Sequence, residues 1–241
     1  GRDVGLEQKG GYDLHFSEES LEATVAKYEV LKETLGGNYP FEVLGHNALR
    51  REEPAIGPKV VGAILHHQDG HANPLKLLQA LAEDVRRLGG VIMNGMHVTA
   101  VDKSDLFRIT CADKTEVRAR KVVLSAGLGA MTLGPMMGFK APIRPQRGQV
   151  LITEKLPKLI NRPSLIARQV DEGGIQIGAT NEEVGLDDTV TQRGLSGLAA
   201  EAIAAFPALA KAQLVRSWGA LRILSPDGLP IYQESPDMPG A

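Results

Sequence analysis

One cysteine, Cys111, stands in 241 residues, which leaves no partner for an intrachain disulfide and no thiolate set for a cysteine zinc site. So little cysteine fits a reducing compartment, and a cytoplasmic setting is expected. Neither sign of charge dominates: 27 Lys and Arg stand against 29 Asp and Glu, a formal charge of -2. Nucleic-acid binders usually carry a basic excess, so no nucleic-acid partner is expected. No run approaches the roughly 18 to 20 consecutive apolar residues of a membrane span. The start, Gly1-Arg2-Asp3-Val4-Gly5, carries no apolar signal-peptide core.

What is present is globular. Hydrophobic residues make up 43% and charged residues 23%, the proportions of a folded domain, which excludes disordered and fibrous readings. The length allows one large domain or two smaller ones. Glycine reaches 27 of 241 while aromatics are only 4%. The glycines have no period, so they serve turns, caps and close backbone approach rather than a collagen repeat.

Local patterns divide the chain. Gly10 to Phe16 reads as a short strand; Ser17 then caps a helix with Glu18 and Glu19 in its first turn, an apolar stripe from Leu21 to Leu35, and a stop at Gly36-Gly37. Pro40 to Pro58 reads as a short helix and loops around Glu52-Glu53-Pro54, and Val60 to His67 as a strand. Asn73-Pro74 opens a second amphipathic helix through Leu75, Leu78, Leu81, Val85 and Leu88, closed by Gly89-Gly90. Val91 to Met93 and His97 to Val101 read as strands, and Phe107 to Cys111 with Thr115 to Val117 as a hairpin about Asp113-Lys114. Lys121 to Gly127 is a basic lead-in and a continuously apolar run ending at small residues, the pattern of a strand buried on both faces. Strand, helix and strand recurring between residues 60 and 127 predict a parallel sheet with a crossover helix. Beyond Pro142 to Pro145 the reading turns to β strands at Gly148 to Thr153, Ser164 to Gln169, Gly174 to Ala179 and Val215 to Leu221. An alanine-rich helix, Gly194 to Ala205, interrupts them.

Candidate chemistry is sparse. His66, His67 and His71 cluster, but adjacent strand residues point to opposite faces, so at most one of the first two can join His71. No helical His-x-x-x-His with a partner carboxylate is present, and no metal is expected. Gly-x-Ser-x-Gly is absent, and Cys111 lies in an alternating segment as a packed thiol. Gly127-Leu128-Gly129 is half of a dinucleotide fingerprint, with Thr132 where the third glycine would stand.

Three stretches together resemble the FAD-dependent amino-acid oxidase family of glycine oxidase, sarcosine oxidase and D-amino-acid oxidase. They are Asp69 to Leu75 through Gly89-Gly90 and on to Val98, Val122 to Gly127 running on to Pro145-Gln146-Arg147-Gly148-Gln149, and Gly178 to Glu182 with Trp218 to Pro230. Arg168-Gln169 and Pro230-Ile231-Tyr232-Gln233 look more like the multi-subunit, dye-linked branch. The resemblance implies a mixed fold, α/β and α+β, in which an incomplete Rossmann-like FAD-binding module is interleaved with an antiparallel-sheet substrate domain. The substrate domain is expected at 1–60 and 139–217, the FAD module at 61–138 and 218–241. The family's opening strand, Gly-x-Gly-x-x-Gly turn and helix, and its glycine-rich closing segment, are expected to lie outside Gly1 to Ala241, leaving the chain itself inactive and a poor FAD binder.

The same resemblance implies FAD as cofactor and oxidation of the C–N bond of a small amino acid or secondary amine by hydride transfer to the flavin. Val98 falls where the family presents backbone groups to the flavin adenine, and Ala126 and Gly127 where the chain passes close to the cofactor. Arg222 matches the arginine that holds the substrate carboxylate, a role its two-pronged guanidinium suits. Ile223 replaces the usual proline after it. Catalysis needs no side chain acting as a strong base. The electron acceptor, oxygen or a partner flavoprotein or ferredoxin-like subunit, stays open, as does a homo-oligomer. The competing reading is a non-catalytic substrate-domain or assembly module that lacks flavin.

Overall fold

The computed structural model describes residues 2–241. In chain order its elements are β1 (Gly11–His15), α1 (Glu18–Thr34), β2 (Glu42–Gly45), α2 (His46–Glu52), β3 (Gly62–His66), α3 (Pro74–Arg87), β4 (Val98–Lys103), β5 (Phe107–Cys111) and β6 (Glu116–Ala119). After these come α4 (Ala130–Leu133), β7 (Arg144–Lys155), β8 (Ala167–Gln169), β9 (Gly174–Gly178), α5 (Gln192–Ala205) and β10 (Leu214–Leu224). They form two compact units: residues 1–84, 148–181 and 188–220 make the first, and residues 85–147, 182–187 and 221–241 the second.

The helices start where their caps dictate. Ser17 Oγ accepts from Ser20 N at 3.2 Å, Asn73 Oδ1 accepts from Leu75 N at 3.1 Å, and Thr191 Oγ1 accepts from Gly194 N at 3.2 Å. Each supplies an acceptor for a first-turn amide that has none within its helix. α1 ends at Gly36 and Gly37, both at positive φ, where an L side chain would be strained.

In the first unit β3 is the central strand of the order β1-β3-β2 and pairs antiparallel with both neighbours, Tyr12 opposite Leu65 and Val43 opposite Ile64. A further sheet runs β10-β7-β9-β8, and β9 pairs antiparallel with β7 and with β8. A parallel bridge from Tyr12 to Ser164 links β1 to the segment ahead of β8. The core gathers Tyr12, Leu14, Ala63 and Leu65 with Leu151, Ile175 and Ile177 from the sheets, and Leu49, Leu198 and Phe206 from the helical side.

The second unit holds an antiparallel meander, β4-β5-β6, around Val101, Phe107 and Met137, with Val122, Leu124 and Met238 packed against them. Lys114, in the left-handed region, makes the turn between β5 and β6, so the hairpin about Asp113-Lys114 forms as the alternation predicts.

The mixed α/β architecture stands, but the parallel sheet expected between residues 60 and 127 does not: β3, β4, β5 and β6 all pair antiparallel. A continuous apolar run carries no direction of pairing: β3 is buried as the central strand of an antiparallel sheet, whereas Val123, in the run read as a strand buried on both faces, is 86% exposed. Val91 to Met93 and Lys121 to Ala126 lie in no strand of the described residues.

Candidate active site

All four residues singled out by the resemblance lie in the second unit. Val98 opens β4 opposite Cys111, just before a bulge, and its side chain packs against the Val101–Phe107–Met137 cluster. Ala126 is exposed and precedes a 3-10 turn, Gly127–Gly129, which leads into α4. Gly127 takes φ +60, and a Cβ built there would lie 3.2 Å from Ile223 Cδ1. The turn is thus seated on the strand end that carries Arg222, one residue earlier on β10, and Arg222 is half-buried. The structure therefore brings Ala126–Gly127 and the Arg222 strand side by side, while Val98 sits on the meander against which α4 packs.

Arg147, which the motif reading leaves without a role of its own, is buried at 3% exposure. Its Nη2 lies 2.8 Å from Glu182 Oε2 and its Nη1 2.6 Å from Asp187 Oδ2. Backbone bonds in both directions, 2.9 and 3.0 Å, add to the Arg147–Glu182 link. Two of the recognised stretches are thereby tied within one unit. No local pattern signals this pairing, because the partners are 35 and 40 residues away. Next along the strand, in the first unit, Gln149 is fully buried; its Nε2 donates to Thr191 Oγ1 at 3.0 Å and its Oε1 accepts from Thr191 N at 2.7 Å, anchoring the start of α5.

The two adjacent histidines separate, His66 ending β3 and His67 standing in the turn that follows it. His66 joins an aromatic cluster, whereas His67 reaches Glu42 at 3.3 Å. Among the described residues no group of three His, Cys, Asp or Glu is placed to hold a metal ion, and no helix is long and apolar enough to cross a membrane. His66 and His71 do share a cleft of the first unit that sequence patterning did not reveal.

Residues 1–241 match the family described as FAD dependent oxidoreductase. An opine oxidase subunit of Rhizobium meliloti is 38% identical over 243 residues, an alignment covering 100% of this chain and 65% of that protein. Hydrogen cyanide synthase subunit HcnC of Pseudomonas protegens is 35% identical over 205 residues, covering 78% of this chain and 47% of that one. The solved glycine oxidase from Geobacillus kaustophilus superposes with a TM-score of 0.90 at 23% identity, over 98% of this chain and 65% of that structure, a likeness of fold. The chain thus spans about 65% of the length of the opine oxidase subunits it matches. With its full length matched, the chain belongs to the FAD dependent oxidoreductase family.

Proposed function

We propose that this chain works within an oxidoreductase that uses FAD to oxidise the C–N bond of a small amino acid or secondary amine. The observation that carries the reading is the seating of Gly127 against Ile223, which sets the small residues Ala126 and Gly127 beside the strand of Arg222. The residues fit the cofactor: nothing larger than a methyl group stands at 126–127, and the left-handed glycine leaves the backbone approachable by a flat ring system. Val98, Ala126 and Gly127 would hold it. When bound, FAD supplies the hydride acceptor.

The protein's own work is then positional. Arg222 pairs its guanidinium fork with both oxygens of the substrate carboxylate and so fixes which face of the α-carbon is presented. No ionisable side chain need remove a proton from carbon; holding the donor carbon in line is what lowers the barrier. The domain division expected at 60/61, 138/139 and 217/218 belongs to this proposal. The pairing of β3 with β1 and β2 argues for carrying its first boundary past His66. Limited proteolysis, cutting first at those joints, checks it.

Two of the relatives are named as subunits, of opine oxidase and of hydrogen cyanide synthase, and this supports assembly with a further protein that takes the electrons, a flavoprotein or a ferredoxin-like subunit. A homo-oligomer and a cytoplasmic setting complete the proposal, checked by native mass and by fractionation. The deciding experiment is anaerobic mixing of the full-length protein with glycine and N-alkyl amino acids, following the visible flavin band. Bleaching is expected. A protein that carries no flavin and takes none up would instead establish the non-catalytic module.

A further inference from the structure

Residues 88–97, the connection between α3 and β4, are exposed without exception, and Asn94-Gly95 form a turn within it. We propose that Asn94 is a site of spontaneous covalent modification: its side chain cyclises onto the Gly95 backbone nitrogen, and the ring opens in water to aspartate and isoaspartate. Asparagine is among the thermolabile residues. The co-reactant is water, so the site needs no cofactor and is independent of the flavin reading.

The step balances on these two residues and water. The Gly95 nitrogen gives its proton to solvent base and attacks Asn94 Cγ; the Cγ–Nδ2 bond breaks and ammonia leaves, closing a five-membered imide. Water then opens the ring at either carbonyl. Attack at Cγ restores the ordinary backbone and leaves an aspartate. Attack at the Asn94 main-chain carbonyl carbon breaks its bond to the Gly95 nitrogen, so the chain runs through Cβ and Cγ as isoaspartate. Either product exchanges a neutral amide for a carboxylate.

The local structure selects this pair. Gly95 takes φ +74, and a Cβ built on it would meet nothing within 4 Å, so no side chain screens its nitrogen and no packing pins the turn. Neither the Asn94 side chain nor the Gly95 N–H makes a hydrogen bond among the described residues, so neither gives one up to react. The flanking Met93 and Met96 are exposed, and water reaches the pair from both sides. The other asparagines lack this combination. Asn73 precedes Pro74, which has no N–H, and its Oδ1 is engaged as the α3 cap. Asn161 Nδ2 donates to the Glu52 carbonyl at 2.9 Å, and the amide of Arg162 after it is given to Glu53. Asn38, Asn47 and Asn181 precede Tyr39, Ala48 and Glu182, each with a Cβ beside the attacking nitrogen. The Asp-Gly pairs are held as well. At Asp227-Gly228 the glycine amide donates to the Ser225 carbonyl at 3.3 Å, and Asp227 Oδ1 accepts from Leu229 N at 3.0 Å. At Asp69-Gly70 a Cβ on the glycine would fall 2.3 Å from the Glu7 carbonyl oxygen, a packed position.

The test holds the full-length protein in warm, mildly alkaline buffer and maps it with trypsin, which releases residues 88–103 with Asn94 as their single asparagine. Mass spectrometry reads the change from amide to acid. Isoaspartate is read by the methyl group it accepts from S-adenosylmethionine in the presence of a protein-isoaspartate methyltransferase. Asn94 should convert about tenfold or more faster than any other asparagine of residues 1–241, with isoaspartate among the products, and Gly95→Ala should slow it about tenfold. Circular dichroism melts check that the variant folds, and the ranking of asparagines in the parent protein decides the matter if it does not. Conversion at Asn94 no faster than at Asn38, aspartate with no isoaspartate, or an unchanged rate in Gly95→Ala overturns the proposal.

Discussion

Tyr12 is 4% exposed on β1, and its hydroxyl receives a bond from Arg162 Nη1 at 2.5 Å and donates to Glu52 Oε2 at 3.2 Å. Burial, opposed by Arg162, pushes the phenol up to about 12 from 10. A raised pKa means that the folded state keeps its proton longer than the unfolded one. The stabilisation is therefore complete below pH 10 and is lost as pH rises towards 12, by at most about 3 kcal/mol. Urea midpoints measured from pH 9 to 12 should fall for the parent and fall less for Tyr12→Phe; equal slopes would show that the phenol titrates normally. Glu53 is fully buried, and its carboxylate accepts the Asn161 amide at 2.8 Å and the Arg162 amide at 3.2 Å. Burial raises its pKa against those two bonds. Glu53→Ala strands both amides and should cost about 1 to 3 kcal/mol, while Glu53→Gln, which keeps an acceptor, should cost less; thermal melts of the two variants give the order. Sequence patterning read a short helix and loops around Glu52-Glu53-Pro54, and α2 is that helix, but could not name the carboxylate's partners, which lie 108 and 109 residues on.

Among the elements, helices were the most legible because their signals are local: cap, stripe and glycine stop all lie within the element. α3 shows this, with Asn73 Oδ1 accepting from both Leu75 N and Lys76 N. Asn73→Ala should lower stability by about 1 kcal/mol, read as a drop in melting temperature, and Asn73→Asp should not. The same helix shows what patterning misses. Its apolar stripe reads as a core-facing surface, yet Leu75, Leu78, Leu81 and Leu88 are all more than half exposed. An apolar strip of this kind favours association, so Leu78→Lys with Leu81→Lys should lower the light scattering of the chain at high concentration. No change would mean that the stripe mediates nothing. Strand direction was illegible for a different reason. The run at residues 62–66 is buried because β1 and β2 flank it, and the pairing that decides parallel or antiparallel comes from residues 11–15 and 42–45.

At the scale of the whole molecule, the two interleaved units explain which features of the candidate site could be foreseen. Val98, Ala126, Gly127 and Arg222 were reachable because each lies in a short stretch similar to a known family, and the structure gathers all four in one unit. The contact between Gly127 and Ile223 was not reachable, since 96 positions of chain separate them and only the fold brings them together. The cleft shared by His66 and His71 was hidden likewise, as its lining comes from residues 12–40, 66–71 and 163–168. The central claim, that Arg222 anchors the substrate carboxylate beside the flavin, is tested most directly by steady-state kinetics of the full-length enzyme and its Arg222→Ala variant. An amino-acid substrate is compared with the matching amine that lacks the carboxylate. Loss of a charged, forked hydrogen bond is worth about 1.5 to 3 kcal/mol. The account predicts a fall in kcat/KM of about tenfold to a hundredfold or more for the amino acid and little change for the amine; equal losses on both substrates would contradict it.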